Sequence, residues 1–273
     1  MVAAIPAGLG MKYVRSLQMA LNEKTHSNLP TTGRFNAEWV AVLKKFQVEH
    51  RLVSTGQYDD ETQALLHAHI EYKYLNDNDY VEAAEILGCS VAAIKAVVRT
   101  CIVGSGFISS GKCRIAFSRD RFHQALTKLR SPAELQALQR EHPMVVNTMP
   151  GGFLRDDYEY VRFCQAVAID SIAAMQSTTW GMFQLPGTLY RSCGYDRITA
   201  FAVDMQLSER HQLHAFVRHI KNTPALLTAI RSSFWTVFAN LYFGKANDTQ
   251  HYDKRIADSY RDHVKASTVK EKA

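Results

Sequence analysis

The chain has 273 residues, which exceeds one average domain and suits two. A hydrophobic fraction of 47% with 21% charged residues excludes wholesale disorder, and 14 glycines and 7 prolines exclude collagen-like and low-complexity architectures. The 32 Lys and Arg residues against 26 Asp and Glu leave a net charge of +6, which favours an anionic partner. No stretch approaches ~18 consecutive apolar residues, so no membrane-spanning helix is expected.

The first 75 residues have a pattern of their own. Apolar residues at helical spacing predict helices in YVRSLQMALN, AEWVAVLKKFQVEH and DDETQALLHAHI, the last of them capped by Asp59 or Asp60. The segments TTGRFNAEWVAVL and STGQYDDETQALL form an internal repeat of a turn followed by a helix. Gly33 and Gly56 in these turns are expected to adopt a backbone conformation that a side chain would forbid.

The remaining residues, 76–273, begin with a polar cluster, NDND, in which Asp79 can cap the next helix. Helical periodicity dominates from there, and the apolar segment FWTVFANLYFG predicts a central helix. Strand-like alternation is confined to the neighbourhood of CRIAFSR. We therefore predict a mainly α protein with domains at 1–75 and 76–273 and at most a small β-hairpin. The first domain carries a net charge of +1 and the second +5.

The order LQMALN, TTGRFN, VLKKFQVEHRL and STGQYDDETQALL resembles the three-helix peptidoglycan-binding domain of phage endolysins and bacterial wall hydrolases. Four turn positions depart from the family pattern. Thr32 and Thr55 replace aspartates, Asn36 replaces a glycine, and Asp59 or Asp60 takes the place of the last glycine. The resemblance implies a peptidoglycan-binding fold with an altered glycan groove. A packing module without ligand affinity is the alternative.

The larger domain resembles the N-acetylmuramidase domain of modular phage endolysins. The segments that carry this resemblance include AAEILGCSVAAIKAVV, GSGF, PGGF, TTWGMFQLPG and CGY. The family has a helical, lysozyme-like core related to goose-type lysozymes. A wall-binding domain followed by a muramidase is itself a typical endolysin arrangement, and together the two resemblances imply a phage protein directed at the cell wall.

The catalytic positions of that family are altered. Its general acid is a glutamate in a stretch resembling V-E-S-S-G-S-G-F, whereas the aligned stretch here reads TCIVGSGF. Cys101 therefore stands at the acid position, and Ile102 and Val103 replace two small polar residues. A second acid position, in the family's F-E-R-x-x-F-H, is occupied by Ser118.

A thiol is a poor substitute for this acid. An unperturbed cysteine has a pKa of about 8.5 against about 4.3 for glutamate, and a thiol is a weak hydrogen-bond donor. We therefore expect muramidase activity to be lost or impaired. The protein would then act by binding peptidoglycan, or a protein partner that docks in the old substrate cleft.

Two other functions stay open. An active, divergent muramidase would cleave the MurNAc–GlcNAc bond during host lysis with a displaced carboxylate, for which Asp120 is the leading candidate. Glu85, Asp156 and Asp157 are further acids near family motifs, and for every one of these acids a solvated surface position is the favoured interpretation. An interaction protein inside the infected cell is the third possibility.

Nucleophilic catalysis by Cys101 would need a base held beside it. His123 is nearest in sequence, but it falls within a family motif that already explains its presence. Thiol catalysis is therefore disfavoured.

The WGMFQ motif and the end of the apolar helix provide the candidate substrate-binding residues. For Trp180 and Phe183, core packing is an equally favoured alternative, whereas Gln184 is the better ligand contact because a polar group in an apolar run needs a partner. The residues expected to line or support the cleft, or to lie near its rim, are Trp180, Met182, Phe183, Gln184, Tyr242 and Gly244.

No metal or other cofactor is expected. His211, His214 and His219 share one helix, but their spacing gives no i, i+4 metal pair. The cysteines are odd in number and lack a C-x-x-C pair, which favours mostly buried thiols made in a reducing cytoplasm. They are Cys89, Cys101, Cys113, Cys164 and Cys193.

We expect a monomer without a specific nucleic-acid or membrane partner, because phosphate-binding and RNA-binding motifs are absent from the sequence. No basic region precedes the short N-terminal apolar run, so a secretory signal is not expected. Synthesis in the host bacterial cytoplasm would precede release to the periplasm or incorporation into the virion.

Overall fold

A computed structural model describes residues 11–101 and 105–270. The chain divides into two compact units. Unit 1 contains the chain up to Tyr74 together with Phe107–Arg114, and unit 2 contains Leu75–Gly106 and everything from Ile115 onward. The return of residues 107–114 to the first unit was not predicted. The mainly helical class is confirmed, since helices dominate the described residues of both units.

Unit 1 contains the three predicted helices: α1 (Met11–Thr25), α2 (Ala37–Glu49) and α3 (Asp60–Lys73). Asp59 caps α3, because its carboxylate accepts the Thr62 N–H at 2.9 Å, and Asn36 caps α2 in the same way through the Trp39 N–H. Two of the family's glycine positions therefore serve here as helix caps. The core between the helices is formed by Leu17, Leu21, Trp39, Leu43, Phe46 and Leu66.

Buried glutamines hold the two repeated turns of unit 1. The Gln18 side chain accepts the Gly33 N–H at 2.8 Å and donates to the Arg34 carbonyl at 2.7 Å. Gln47 repeats this pattern with the Gly56 N–H and the Gln57 carbonyl. Both glycines have positive φ angles, 77° and 69°, as the sequence predicted. The internal repeat therefore extends to the hydrogen bonds that hold each turn.

Residues 107–114 form a small hairpin within unit 1, closed by a β-bridge between Phe107 and Cys113. The ammonium group of Lys73 lies 4.0 Å from the centre of the Phe107 ring and donates to the Gly111 carbonyl at 3.3 Å. The same ammonium group is 3.0 Å from the carboxylate of Glu23. A cation–π contact and a buried ion pair thus hold the hairpin to α1 and α3.

Unit 2 begins with α4 (Asp77–Leu87), whose N-cap is Asn76 rather than the predicted Asp79. Asp79 is the third helical residue, and its carboxylate accepts the Asn76 N–H at 2.9 Å, which completes a capping box. The other helices are α5 (Val91–Cys101), α6 (Arg119–Leu126), α7 (Pro132–Glu141), α8 (Asp157–Ile169), α9 (Ser171–Gln176), α10 (Ile198–Leu207), α11 (Glu209–Lys221), α12 (Pro224–Arg231), α13 (Trp235–Phe243), α14 (Ala246–Gln250) and α15 (Tyr252–Lys270).

The sheet of unit 2 has three short antiparallel strands in sequence order, one more than the predicted hairpin. They are β1 (Ile115–Phe117), β2 (Thr178–Trp180) and β3 (Leu185–Pro186). Ala116 pairs with Thr179, which pairs with Pro186, and all three are partly exposed. The alternate residues are buried, so one face of the sheet packs on the core and the other is partly open.

Two predictions about which side chains are buried differ from the structure. The segment predicted as a central helix is α13, but Phe234, Val237 and Leu241 on one of its faces are about half exposed. The spacing of these residues is helical, so the continuous apolar run covers both a buried face and an exposed one. All five cysteines are free, but only Cys113 and Cys193 are fully buried and Cys164 on α8 is exposed, whereas most of the thiols were expected to be buried.

Candidate functional site

Cys101 is the last residue of α5, which packs against α15. Burial raises the pKa of its thiol well above the ordinary value, and the nearby charge of Arg255 offsets only part of this effect. Arg255 belongs to α15 and also donates to the Thr100 carbonyl at 3.4 Å. The thiol is therefore protonated at neutral pH and a very weak acid. Ile102 and Val103, which replace two small polar residues of the family pattern, lie outside the described residues.

Ser118 and Asp120 lie where β1 ends and α6 begins. The Ser118 hydroxyl donates to the Asp120 carboxylate at 2.7 Å, and the Ser118 N–H donates to the Ser177 carbonyl at 3.0 Å. Both side chains are partly exposed. Asp120 is thus partly exposed and bonded to a hydroxyl, and it is not enclosed in an apolar pocket.

A buried ion pair lies behind this corner. Both carboxylate oxygens of Glu159 are about 3 Å from one guanidinium nitrogen of Arg162, and they also accept the N–H groups of Phe117 and Leu154 at 2.7 Å each. Arg162 donates further to the Met144 carbonyl. Sequence reasoning missed this pair, although an acid and an arginine three residues apart on a helix were a usable signal. Glu159 is fully engaged and positions the end of β1.

Trp180 and Phe183 are almost completely buried. The indole N–H of Trp180 donates to the Met175 carbonyl at 3.1 Å, and its ring meets Phe163 edge to face. Phe183 stacks on Phe216, with 4.2 Å between the ring centres. Met182 is also buried. In this conformation these three side chains are part of the core and lie beneath the protein surface.

Gln184 finds its partners within its own hairpin. Its amide donates to the Gly181 carbonyl at 2.9 Å, and its amide oxygen accepts the Thr179 hydroxyl at 2.7 Å. The residue is partly exposed and has a φ of 49°. Its side chain therefore closes the turn between β2 and β3 beside the open face of the sheet.

Tyr242 is partly buried on α13, and its hydroxyl donates to the Phe183 carbonyl at 2.9 Å. Burial raises the pKa of this phenol, and the neighbouring thiols of Cys101 and Cys193 raise it further. Tyr242 thereby links α13 to the WGMFQ turn. Gly244 is exposed, has a φ of 56°, and has open space where a side chain would extend.

Two residues of α11 that the sequence did not single out hold the segment after Cys101 and the WGMFQ turn. The Glu209 carboxylate accepts the Ser105 hydroxyl at 2.6 Å and the Gly106 N–H at 2.9 Å. The buried side chain of Gln212 accepts the Met182 N–H at 2.8 Å. A polar residue on the apolar side of an amphipathic helix was the available signal.

The other candidate groups are not brought together. Glu85 and Asp156 are exposed. The three histidines of α11 each contact a different partner: His211 contacts Ser208, His214 contacts Glu82 and His219 contacts Ser192. Across residues 11–101 and 105–270, no three potential metal ligands form a cluster.

None of the helices in the described part of the chain is long and apolar enough to cross a membrane.

Comparisons with known proteins find a matching family for each of the two domains. A model of the N-acetylmuramidase family matches residues 90–264, and a model of a peptidoglycan binding domain matches residues 11–66. The crystal structure of the Burkholderia AP3 phage endolysin is similar at 30% sequence identity and a TM-score of 0.66, covering 94% of this chain and 96% of that one. No curated protein sequence matches the chain. The similarity to the solved endolysin therefore extends over both units.

Proposed function

Because this chain belongs to the N-acetylmuramidase family and carries a peptidoglycan-binding domain, we propose that it is an endolysin-like protein that binds peptidoglycan with impaired catalysis. The two-domain resemblance predicted from the motifs is confirmed by the family models and the solved endolysin. Peptidoglycan is accordingly its substrate or partner. The proposed role is binding of the wall after synthesis in the host cytoplasm.

The observation that carries the proposal is the identity and environment of Cys101. Cleavage of the glycosidic bond needs a proton donor whose pKa lies near the working pH. Burial moves the pKa of this thiol upward, away from that range. Loss of the general acid costs about 10²–10⁴-fold in rate.

The test is a gain of function at that position. We expect the wild type and Cys101→Gln to leave the turbidity of purified peptidoglycan unchanged, since neither side chain can act as the acid. Cys101→Glu, alone or with Ser118→Glu, is expected to restore measurable clearing. Cys101→Gln is the matched control because it has the shape of glutamate without the acid.

An active muramidase is the second candidate, and the contact between Ser118 and Asp120 at the family's second acid position favours it. Clearing by the wild type that disappears in Asp120→Asn would overturn the impaired-enzyme proposal and support this one. A protein that neither sediments with the wall nor clears it would contradict both and favour a protein partner, to be sought by pull-down from host lysate.

A further inference from the structure

Unit 2 contains a groove to which the proposed function assigns no role. It has a volume of about 850 Å³ and lies along α6 and α9 and the segment after β3. We call it the α6 groove, and the lining residues used in the argument are Arg121, Gln124, Lys128, Leu129, Ile172 and Leu189. All of them belong to one compact unit.

One side of the α6 groove carries two cations. Arg121 lies on α6 and Lys128 in the turn that follows, seven residues further on, and seven residues of helix would rise by about 10 Å. Both are exposed, and neither forms an ion pair with any residue that the structure describes. Gln124 lies on the same face between them and adds an amide.

The acid of the groove is already engaged. Asp170 accepts the Ala173 N–H at 2.9 Å as the cap of α9, and its other oxygen is 3.9 Å from Arg130. Arg130 does not line the groove. The charges left without a partner in the α6 groove are therefore those of Arg121 and Lys128, which makes the groove complementary to an anion.

The rest of the groove offers apolar surface. Leu129 is 51% exposed and Ile172 46%, so both offer aliphatic surface to a ligand in the groove. Leu189 and two alanines, Ala125 and Ala173, add small apolar contacts. A ligand that fits this lining combines small apolar groups with carboxylates about 10 Å apart, a distance that an extended peptide covers in about three residues.

The α6 groove adjoins the corner that bears the family's second acid position. Ser177 lines the groove, and its carbonyl accepts the Ser118 N–H at 3.0 Å. Pro186 also lines the groove and pairs with Thr179 on the partly open sheet face. The groove and the corner at Ser118 therefore share the backbone of Ser177.

We propose that the α6 groove binds the acidic peptide stem of peptidoglycan, with Arg121 and Lys128 pairing with its carboxylates. The inference rests on the proposed function, because it assumes that peptidoglycan is the ligand. The stem is a short peptide of alanines and carboxylate-bearing residues that branches from muramic acid, the sugar at the bond that muramidases cut. Its alanine methyl groups match the small apolar lining, and its charge matches the two cations.

The experiment uses the full chain and two soluble probes: the GlcNAc–MurNAc disaccharide with a tetrapeptide stem, and the same disaccharide without it. Neither contains the bond that a muramidase cleaves, so calorimetry reports binding alone. We expect the wild type to bind the peptide-bearing probe more tightly. Arg121→Gln with Lys128→Gln should weaken that binding roughly tenfold and leave the peptide-free probe unaffected.

Arg140→Gln with Lys254→Gln is the matched control, because it removes the same charge from exposed residues outside the groove. It should change neither affinity. Equal weakening of both probes by the Arg121 and Lys128 changes, or no weakening of the peptide-bearing probe, would overturn the proposal. The same loss of affinity for a hexaglutamate peptide would replace stem recognition by general attraction to acidic peptides.

Sedimentation of the wild type with intact wall tests the proposed function separately from the assignment of the α6 groove. Sedimentation with intact wall but no preference for the peptide-bearing probe would reject the α6 groove while leaving the proposed function standing. Absence of both sedimentation and disaccharide binding would reject the proposed function and the groove assignment with it.

Discussion

At the scale of single residues, Gln212 determines which residues fit at two positions of the core of unit 2. A β-carbon added to Gly106 would lie 2.1 Å from its amide oxygen, and one added to Gly181 would lie 2.7 Å from it. The amide cannot turn away cheaply, because it also bonds the Met182 N–H and the Met205 carbonyl. The position of the buried Gln212 side chain thus requires glycine at both position 106 and position 181.

Gly181→Ala is expected to destabilise the protein strongly. The φ of 70° disfavours any side chain, and the clash with Gln212 adds to that strain, for a total of about 2–4 kcal/mol. Gly151→Ala is the control, since its φ is 90° but its β-carbon would meet nothing within 4 Å, and about 1 kcal/mol is expected. Urea unfolding measures both. Equal losses would show that the contact with Gln212 contributes nothing.

Sequence motifs located these glycines but not their partner. GSGF and WGMFQ contain Gly106 and Gly181, and the family resemblance makes both notable. Gln212 lies more than a hundred residues from the first of them, so no local pattern connects them. Long-range packing of this kind is what periodicity and capping rules cannot predict.

At the scale of elements, the hairpin of residues 107–114 depends on a charged cluster in unit 1. Burial by itself would raise the pKa of Glu23, but the adjacent His69 ring and the ammonium group of Lys73 lower it below its usual value. Lys73 is nearly buried and lies against Phe107 and Gly111. The Glu23 carboxylate therefore positions the Lys73 ammonium group, which in turn contacts the hairpin.

A depressed carboxyl pKa stabilises the fold above the unfolded value, 4.5, and this stabilisation is lost as the pH falls through the folded value. Glu23→Gln should accordingly lower the unfolding free energy at pH 7 by about 1–3 kcal/mol, with the difference closing toward pH 3. Thermal unfolding of the full chain across this range tests it.

Glu49→Gln is the control for this pH dependence, because Glu49 is exposed and lies 3.9 Å from Lys45. It should change stability by less than about 0.5 kcal/mol at either pH. A difference between the wild type and Glu23→Gln that persists unchanged at pH 3 would contradict the electrostatic account.

The sequence predicted the three helices of unit 1 but not that residues 107–114 pack in the same unit. Apolar spacing found the three helices of unit 1, and the repeat found both of its glycine turns. The contacts of Phe107 and Gly111 with Glu23 and Lys73 join segments far apart in sequence, so composition gave no sign of them. At the start of α4, Asn76 and Asp79 are both good capping residues, and only the backbone geometry distinguishes their roles.

At the scale of the whole molecule, charge is distributed unequally. Of the net +6, the residues after position 75 carry +5. Peptidoglycan bears carboxylates on its stems, so part of the expected attraction is long-range and screened by salt. The α6 groove would be one place where this attraction becomes specific.

Binding to intact wall should therefore weaken as sodium chloride rises from about 50 mM to about 500 mM, because the Debye length shortens below the spacing of surface charges. Binding to chitin, which has the N-acetylated sugar but no carboxylates, is the control and should change little. Sedimentation of the full chain with each polymer measures both. A wall-bound fraction indifferent to salt would exclude an electrostatic contribution.

The discontinuous course of unit 1 has a consequence for how the protein is made. A ribosome that has released the first 74 residues has completed three helices but not the hairpin that packs on them. Unit 1 can reach its final form only after Arg114 has emerged, by which time α4 and α5 have also been synthesised. Folding of the wall-binding unit during translation thus waits for part of its neighbour. A single cut after Tyr74 would separate the three helices from the hairpin that belongs to the same unit.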